Sequence, residues 1–195
     1  MAFRPTLNKF GVPLNPGQNG SGILMPKLKY RFRVKMYGFG NGLPAYALTR
    51  QVESCGRPTS NHENTEIHSY NNVMYIPKKA TWSTIEIKVR DDITSSVSRL
   101  VGAQLQKQMN HFDQTSGVAG INFKFNTQIE VLDGGNVGVL EAWFLEGCYL
   151  ETVAYDSQDY TSSDPVSITL TVRYDNATQS TFSTSLGSYF SPQAG

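Results

Sequence analysis

Several groupings in this 195-residue sequence contain residue types capable of chemistry. His62 and His68, with Glu63 and Glu66 beside them, supply the nitrogen and oxygen donors that a divalent cation takes. Their spacing matches neither a paired helical His motif nor a cysteine cluster, so it does not argue for a metal site. Cys148 and His111 are the residue types of a thiol nucleophile and its base. The thiol is flanked by Trp143, Phe144, Leu145 and Leu150, an apolar setting that disfavours the reactive thiolate. Glu141, Glu146 and Glu151 could form a carboxylate pair, but strand alternation puts Glu141 and Glu151 on one face and Glu146 on the other. A charged sheet surface explains them better. Gly38, Gly40 and Gly42 suggest a phosphate cradle until the following residues are read: Leu-Pro-Ala-Tyr and a strand-like run to Cys55 offer no helix N-terminus, and a hairpin turn is expected. There is no P-loop, no Gly-x-Ser-x-Gly and no dinucleotide fingerprint. The expectation is a chain with no catalytic residues and no cofactor or metal, not an enzyme.

The elements that carry these residues are mainly strands. Leu28, Tyr30, Phe32, Val34 and Met36 alternate with Lys29, Arg31, Arg33 and Lys35, which predicts a strand with one apolar and one basic face. Ile85, Ile87 and Val89 alternate with Glu86, Lys88 and Arg90. Asp91-Asp92 then supplies an N-cap for a helix whose stripe is Ile93, Val97, Leu100, Val101, Leu105, Met109 and Phe112. Gly117 to Gly120 ends the helical stretch. Ile121, Phe123, Phe125, Thr127, Ile129 and Val131 predict a further strand, and Asp133-Gly134-Gly135-Asn136 a turn into the stretch 137–176. Val166, Ile168, Leu170, Val172 and Tyr174 alternate with Ser and Thr as a half-buried strand requires.

Residues 63–78 predict a long hairpin. A turn at Asn71-Asn72 pairs Tyr70 with Val73, Ser69 with Met74, His68 with Tyr75 and Ile67 with Ile76. Ile67, Met74 and Ile76 then share one face, and Tyr70, Val73 and Tyr75 the other. A two-stranded ribbon is marginal alone in water, so two partly apolar faces require a cover.

Length fits a single domain with two arms: Pro- and Gly-rich residues 1–26, a β domain over 27–177, and a Ser/Thr-rich arm over 178–195 carrying Phe182, Leu186, Tyr189 and Phe190. No apolar run reaches a membrane span and no signal-like apolar region opens the chain, so a cytoplasmic chain without a membrane anchor is expected. Cys55 and Cys148 read as free buried thiols. The net charge of +1 hides an asymmetry: residues 1–50 hold eight Lys or Arg and no acid, and residues 125–195 hold nine acids against Arg173. Such a dipole suits opposite surfaces attracting each other between copies better than it suits a nucleic-acid grip.

In this order, several motifs resemble the tail-tube protein of contractile-tailed bacteriophages over about residues 26–177. They are Pro26 and its alternating strand, the hairpin ahead of Thr81-Trp82-Ser-Thr-Ile-Glu-Ile-Lys-Val-Arg-Asp-Asp, the single helix, Trp143-Phe-Leu-Glu-Gly-Cys-Tyr-Leu, and Ile168-Thr-Leu-Thr-Val-Arg-Tyr-Asp-Asn-Ala. The resemblance implies a mainly β fold, an antiparallel sandwich or barrel-like domain with one flanking helix, a long hairpin and extended arms. It further implies a structural virion protein: hexameric rings stacked into an inner tube within a sheath, with baseplate, tape-measure and terminator partners, located in the virion tail after assembly in host cytoplasm. DNA would pass through the lumen transiently and non-specifically. The hairpin residues Thr65, Ile67, Tyr70, Asn71, Asn72, Val73, Met74, Tyr75 and Ile76 would contact neighbouring subunits. Arg31, Arg33 and Lys35 become candidates for charge between rings, and Glu141, Glu146, Glu151, Asp156 and Asp159 candidates for lumen acids. A tube subunit of an injection particle, a baseplate tube initiator and, more remotely, a small-ligand β-barrel are the alternatives.

Overall fold

A computed structural model describes residues 26–40, 46–116, 123–135 and 138–181. The chain divides into two compact units, Met1–Arg31 and Phe32–Gly195. Of the first, only Pro26 to Arg31 is described, so the expected N-terminal arm lies almost wholly outside the described residues. Arg31 N donates to the Leu28 carbonyl at 3.2 Å, closing a turn, and the Arg31 guanidinium stands 5.5 Å from the Tyr30 ring centre. The basic strand expected from Lys27 therefore begins only at Phe32.

The second unit is mainly β. Its elements are β1 (Phe32–Tyr37), α1 (Tyr46–Gln51), β2 (Val52–Cys55), β3 (Ser60–Ser69), β4 (Asn72–Trp82), β5 (Ile85–Arg90), α2 (Ser96–Gln108), β6 (Met109–Asn110), β7 (Thr115–Ser116), β8 (Phe125–Leu132), β9 (Val139–Tyr155), β10 (Ser167–Arg173) and β11 (Asn176–Thr181). One antiparallel sheet runs β1-β8-β9-β10-β5-β2, with β11 also on β9. Asn41 and Gly42 of the turn expected from sequence lie outside the described residues, and the strands it would join do not pair with each other: β1 pairs with β8 and β2 with β5. The strand-like run ahead of Cys55 starts instead as the short helix α1. Gly38 and Gly40 both take positive φ, +78° and +68°, which lets the chain leave β1 sharply.

The 17-residue β9 organises the sheet. Its first half lies between β8 and β11, its second half pairs with β10, and the change occurs at Gly147, whose φ is +67°. The Gly147 N–H donates to Asn126 Oδ1 at 3.3 Å, and Asp175 N donates to the Glu146 carbonyl at 3.0 Å, so the bend is held from both flanks. Across it the buried positions change parity, from Leu145 to Cys148 and Leu150. Such a bulge folds one sheet into two packed halves. Val34, Phe125, Leu145, Ile87, Ile168 and Leu170 meet in the resulting core. Phe39 packs edge-on against Phe125 at 4.9 Å between ring centres. Ile168, Leu170, Val172 and Tyr174 are buried as their alternation predicts, whereas Val166 lies ahead of β10 and is exposed.

Helix α2 covers the core with Val97, Leu100, Val101 and the buried Gln104. Gln104 is satisfied at both ends, accepting from Gly40 N at 2.9 Å and donating to the Phe123 carbonyl at 2.6 Å. Gln108 forms a reciprocal pair with Leu150 of β9, donating to its carbonyl and accepting from its N–H, both at 2.9 Å. The helix is shorter than its apolar stripe predicts. The N-cap position falls on Ser95, at φ 50°, and not on Asp91 or Asp92; the Asp92 carboxylate accepts from Ser96 N at 2.7 Å from the preceding turn, so Ile93 lies outside the helix and exposed. Met109 is extended at φ −150° and opens the small β6–β7 hairpin, which leaves Phe112 in an exposed turn instead of in the core. Of the strand predicted from Ile121, the part from Phe125 forms, and Ile121 lies outside the described residues. The predicted turn follows it: Asp133 Oδ1 accepts from Gly135 N at 2.8 Å, and Gly134 has φ +101°. At the other end β11 continues to Thr181, so the first residues of the expected C-terminal arm form a strand on β9, and the arm's apolar residues lie outside the described residues.

Candidate assembly surfaces

Strands β3 and β4 form a two-stranded sheet of their own, 10 and 11 residues long, or about 33 Å at 3.3 Å per residue. At its root Trp82 meets Tyr174 at 5.9 Å between ring centres, and Ser83 N donates to the Thr59 carbonyl at 3.0 Å. Beyond the root every residue from Ser60 to Thr81 is exposed.

The register differs from expectation. Ser69 faces Asn72, His68 faces Val73, Ile67 faces Met74, Glu66 faces Tyr75 and Thr65 faces Ile76. The turn therefore lies at Tyr70-Asn71, with Tyr70 at φ 48° and fully exposed at the tip, while Asn72 starts β4. Nearer the root the register shifts once between His62 and Asn64, beside Pro77, which lacks the N–H a regular ladder would use. Moving the turn by one position preserves face parity. Ile67, Met74 and Ile76 still share a face, 42, 57 and 43 % exposed, and Val73 and Tyr75 stand on the other with Glu66 and His68. His68 Nε2 lies 3.7 Å from Glu66 Oε2, an exposed pair along one strand.

The basic candidates have partners inside the chain. Arg33 lies opposite Glu130 in the β1–β8 register, with its Nε and one terminal nitrogen both 2.6 Å from Glu130 Oε2. Lys35 Nζ reaches Oε1 of the same carboxylate at 2.7 Å, and Gln128 Nε2 donates to that oxygen at 2.9 Å. Glu130 is 3 % exposed, against 38 % for Arg33 and 34 % for Lys35. The opposite charges at the two ends of the sequence thus meet, at these residues, within one copy, because β1 and β8 are neighbours in the sheet. Sequence spacing gives no sign of this, since the partners are 95 and 97 residues apart.

The acidic candidates are scattered. Glu141 is buried, accepting from Trp143 Nε1 at 2.7 Å and Gln179 Nε2 at 2.9 Å, so it is not available to line an open channel. Glu146 and Glu151 are exposed. Glu151 is skipped by the β9–β10 register, which runs from Leu150 to Thr152, so it does not share a face with Glu141 as strict alternation predicts. Asp156 and Asp159 sit in the exposed β9–β10 loop. Thr161 N and Oγ1 donate to Asp159 and hold its carboxyl below the usual range. Both cysteines are free: burial pushes Cys148 up to about 11 and Cys55 up to about 12. The Cys148 thiol donates to the Leu145 carbonyl at 3.5 Å, and His111 is exposed in the β6–β7 turn. No helix among the described residues is long and apolar enough to cross a membrane.

The sequence matches no known protein-family model and no curated protein. Solved structures do match. A chain of the anti-feeding prophage cap, the tube-terminating cap, superposes with TM-score 0.62 at 16 % identity, covering 83 % of this chain and 95 % of that one. A chain of the anti-feeding prophage baseplate gives TM-score 0.60 at 14 % identity, covering 82 % and 98 %. A chain of the extended sheath–tube complex of PVC, an extracellular contractile injection system, gives 0.60 at 15 % identity, covering 80 % and 93 %. With its antiparallel sheet bent at Gly147, its covering helix and its projecting hairpin, the chain shares the fold of these cap, baseplate and sheath–tube chains.

Proposed function

We propose that the chain is the subunit of a hollow tube, assembled as hexameric rings stacked inside a contractile sheath. The observation that carries this reading is the β3–β4 hairpin: about 33 Å of ribbon with apolar side chains on both faces and no cover from the sheet or helices it springs from. A second copy is the natural cover, and a contact that repeats without closing on itself builds a filament. The outer edges of β1, β2 and β11 are likewise unpaired among the described residues, and joining sheets between copies would remove them. Thr65, Ile67, Tyr70, Asn71, Asn72, Val73, Met74, Tyr75 and Ile76 are the proposed contact residues on the hairpin. Arg31, Arg33 and Lys35 are the proposed basic residues between rings, with Arg33 and Lys35 also sharing Glu130 within one copy. Some of Glu146, Glu151, Asp156 and Asp159 are the proposed lumen acids, in a channel through which DNA passes without being gripped.

Sheath, baseplate, tape-measure and terminator proteins are the proposed partners, with the tube ending in a virion tail. An injection particle in place of a phage tail is the second reading, favoured by the similarity to chains of the anti-feeding prophage and PVC assemblies. Negative-stain microscopy of the purified protein tests the common part: rings or tubes support it, and a monomer at every concentration refutes it. Nuclease-protected DNA in the native particles separates a phage from an injection particle.

A further inference from the structure

The outward face of the four-stranded half of the sheet, β1-β8-β9-β11, is built in cross-strand rows. Arg33, Glu130, Ala142 and Ser180 form one row, and Lys35, Gln128, Phe144 and Thr178 the next. Glu146 is the remaining charged residue on this face among the described residues, so two cations stand against two acids. Both cations are tied to a single carboxylate. On the outward face of the other half, Lys88, Arg90 and Arg173 stand against Glu53, Glu86 and Glu151, and Glu53 approaches Lys88 and Arg90 only to 3.7 Å.

We infer that Glu130 is an internal counter-ion that keeps the outward face of β1-β8-β9-β11 from gripping polyanions, and that this is the face a phosphate backbone moves along. The inference about passage rests on the tube reading; the counter-ion role does not. Arg33 and Lys35 are each about one-third exposed, enough for a phosphate to reach them. To bind, that phosphate would have to displace a carboxylate already out of water and fixed by contacts of 2.6, 2.7 and 2.9 Å from three side chains. Gln128 is in turn held by the Tyr37 hydroxyl, which donates to its Oε1 at 2.9 Å, so the cluster is braced along β1 and β8. Without Glu130 two basic side chains would sit two residues apart on one strand, both facing outward, which is an arrangement that suits successive phosphates.

The test is binding of the purified full-length protein to heparin resin and to a labelled DNA duplex across a salt series. Glu130→Gln should convert weak retention into salt-sensitive retention. The slope of log K against log salt should steepen by about 0.9 to 1.8 per copy, or about 3- to 12-fold in affinity for a fourfold change in salt. The triple variant Glu130→Gln, Arg33→Gln, Lys35→Gln should return to wild-type behaviour. If Glu130→Gln does not fold, Glu130→Gln with Arg33→Met frees Lys35 alone and should steepen the slope by about 0.9. A folded variant with wild-type slope overturns the inference. Failure of both variants to fold also overturns it, leaving Glu130 as a fastening between β1 and β8. Microscopy of the same wild-type preparation reads the tube separately: no tubes with a steepened slope would sink the tube reading and keep the counter-ion.

Discussion

Replacing Ile67, Met74 and Ile76 together with serine should abolish assembly at concentrations where the wild type assembles, while leaving the subunit folded. These side chains are 42, 57 and 43 % exposed in one copy, so about half of each surface remains to be buried by a partner. Full burial of such a side chain contributes about 1.5 to 3 kcal/mol, and half of that over three residues gives roughly 2 to 4 kcal/mol per hairpin. At 1.4 kcal/mol per factor of ten, the critical concentration should rise about 30- to 700-fold. The subunit's own melting temperature should change little, because every residue from Ser60 to Thr81 is exposed and, among the described residues, the ribbon meets the domain at its root near Trp82 and Tyr174. Sedimentation and light scattering across a dilution series measure the first effect, and thermal unfolding by circular dichroism the second. Assembly at the wild-type concentration would refute the claim that this face is covered by another copy. A large drop in subunit melting temperature would refute the claim that the hairpin stands free.

Other perturbations test the fold beneath that surface. Gly147→Ala should cost about 2 to 4 kcal/mol, since it combines φ +67° with a methyl group 2.8 Å from Asp175 Cγ; urea unfolding within about 0.5 kcal/mol of wild type would contradict this. Gly102→Ala has the opposite sign: the added methyl meets nothing within 4 Å on α2, so a gain of about 0.5 to 1 kcal/mol is expected, and a loss would mean the helix face is not open there. The thiols predict alkaline sensitivity. In the unfolded chain they ionise near 8.5, whereas burial holds Cys148 neutral to about 11 and Cys55 to about 12. Their contribution to stability is therefore full below about pH 8.5 and is lost as pH rises toward 11 to 12, on the order of 1 kcal/mol per pH unit for each thiol. Unfolding free energies that stay level from pH 8 to 10.5, or rapid reaction of both thiols with a disulfide reagent in the native state, would count against their burial. Arg31→Glu should raise the salt dependence of assembly or slow it; identical kinetics at all salt concentrations would remove Arg31 from the ring contact.

By itself the sequence determines where the chain can be strand and where it can be helix, because side-chain alternation and the 3.6-residue stripe are local properties. Ile85 to Val89, Ile168 to Tyr174 and the faces of the 63–78 hairpin follow from it directly. The same pattern misleads where a local signal outlasts its element. Ile93, Met109 and Phe112 continue the helical spacing, but a left-handed Ser95 and an extended Met109 end α2 between them. Leu28 and Tyr30 continue the alternation of β1 outside the strand. Register and bulges depend on partners far away in sequence. The bend at Gly147 and the skipped Glu151 separate two glutamates that alternation puts on one face, burying Glu141 and exposing Glu151. Only the adjacency of β1 and β8 turned Arg33 and Lys35 from free surface charge into partners of a buried carboxylate. A charge in a sequence has no partner until the sheet order supplies one, and sheet order is a property of the whole fold.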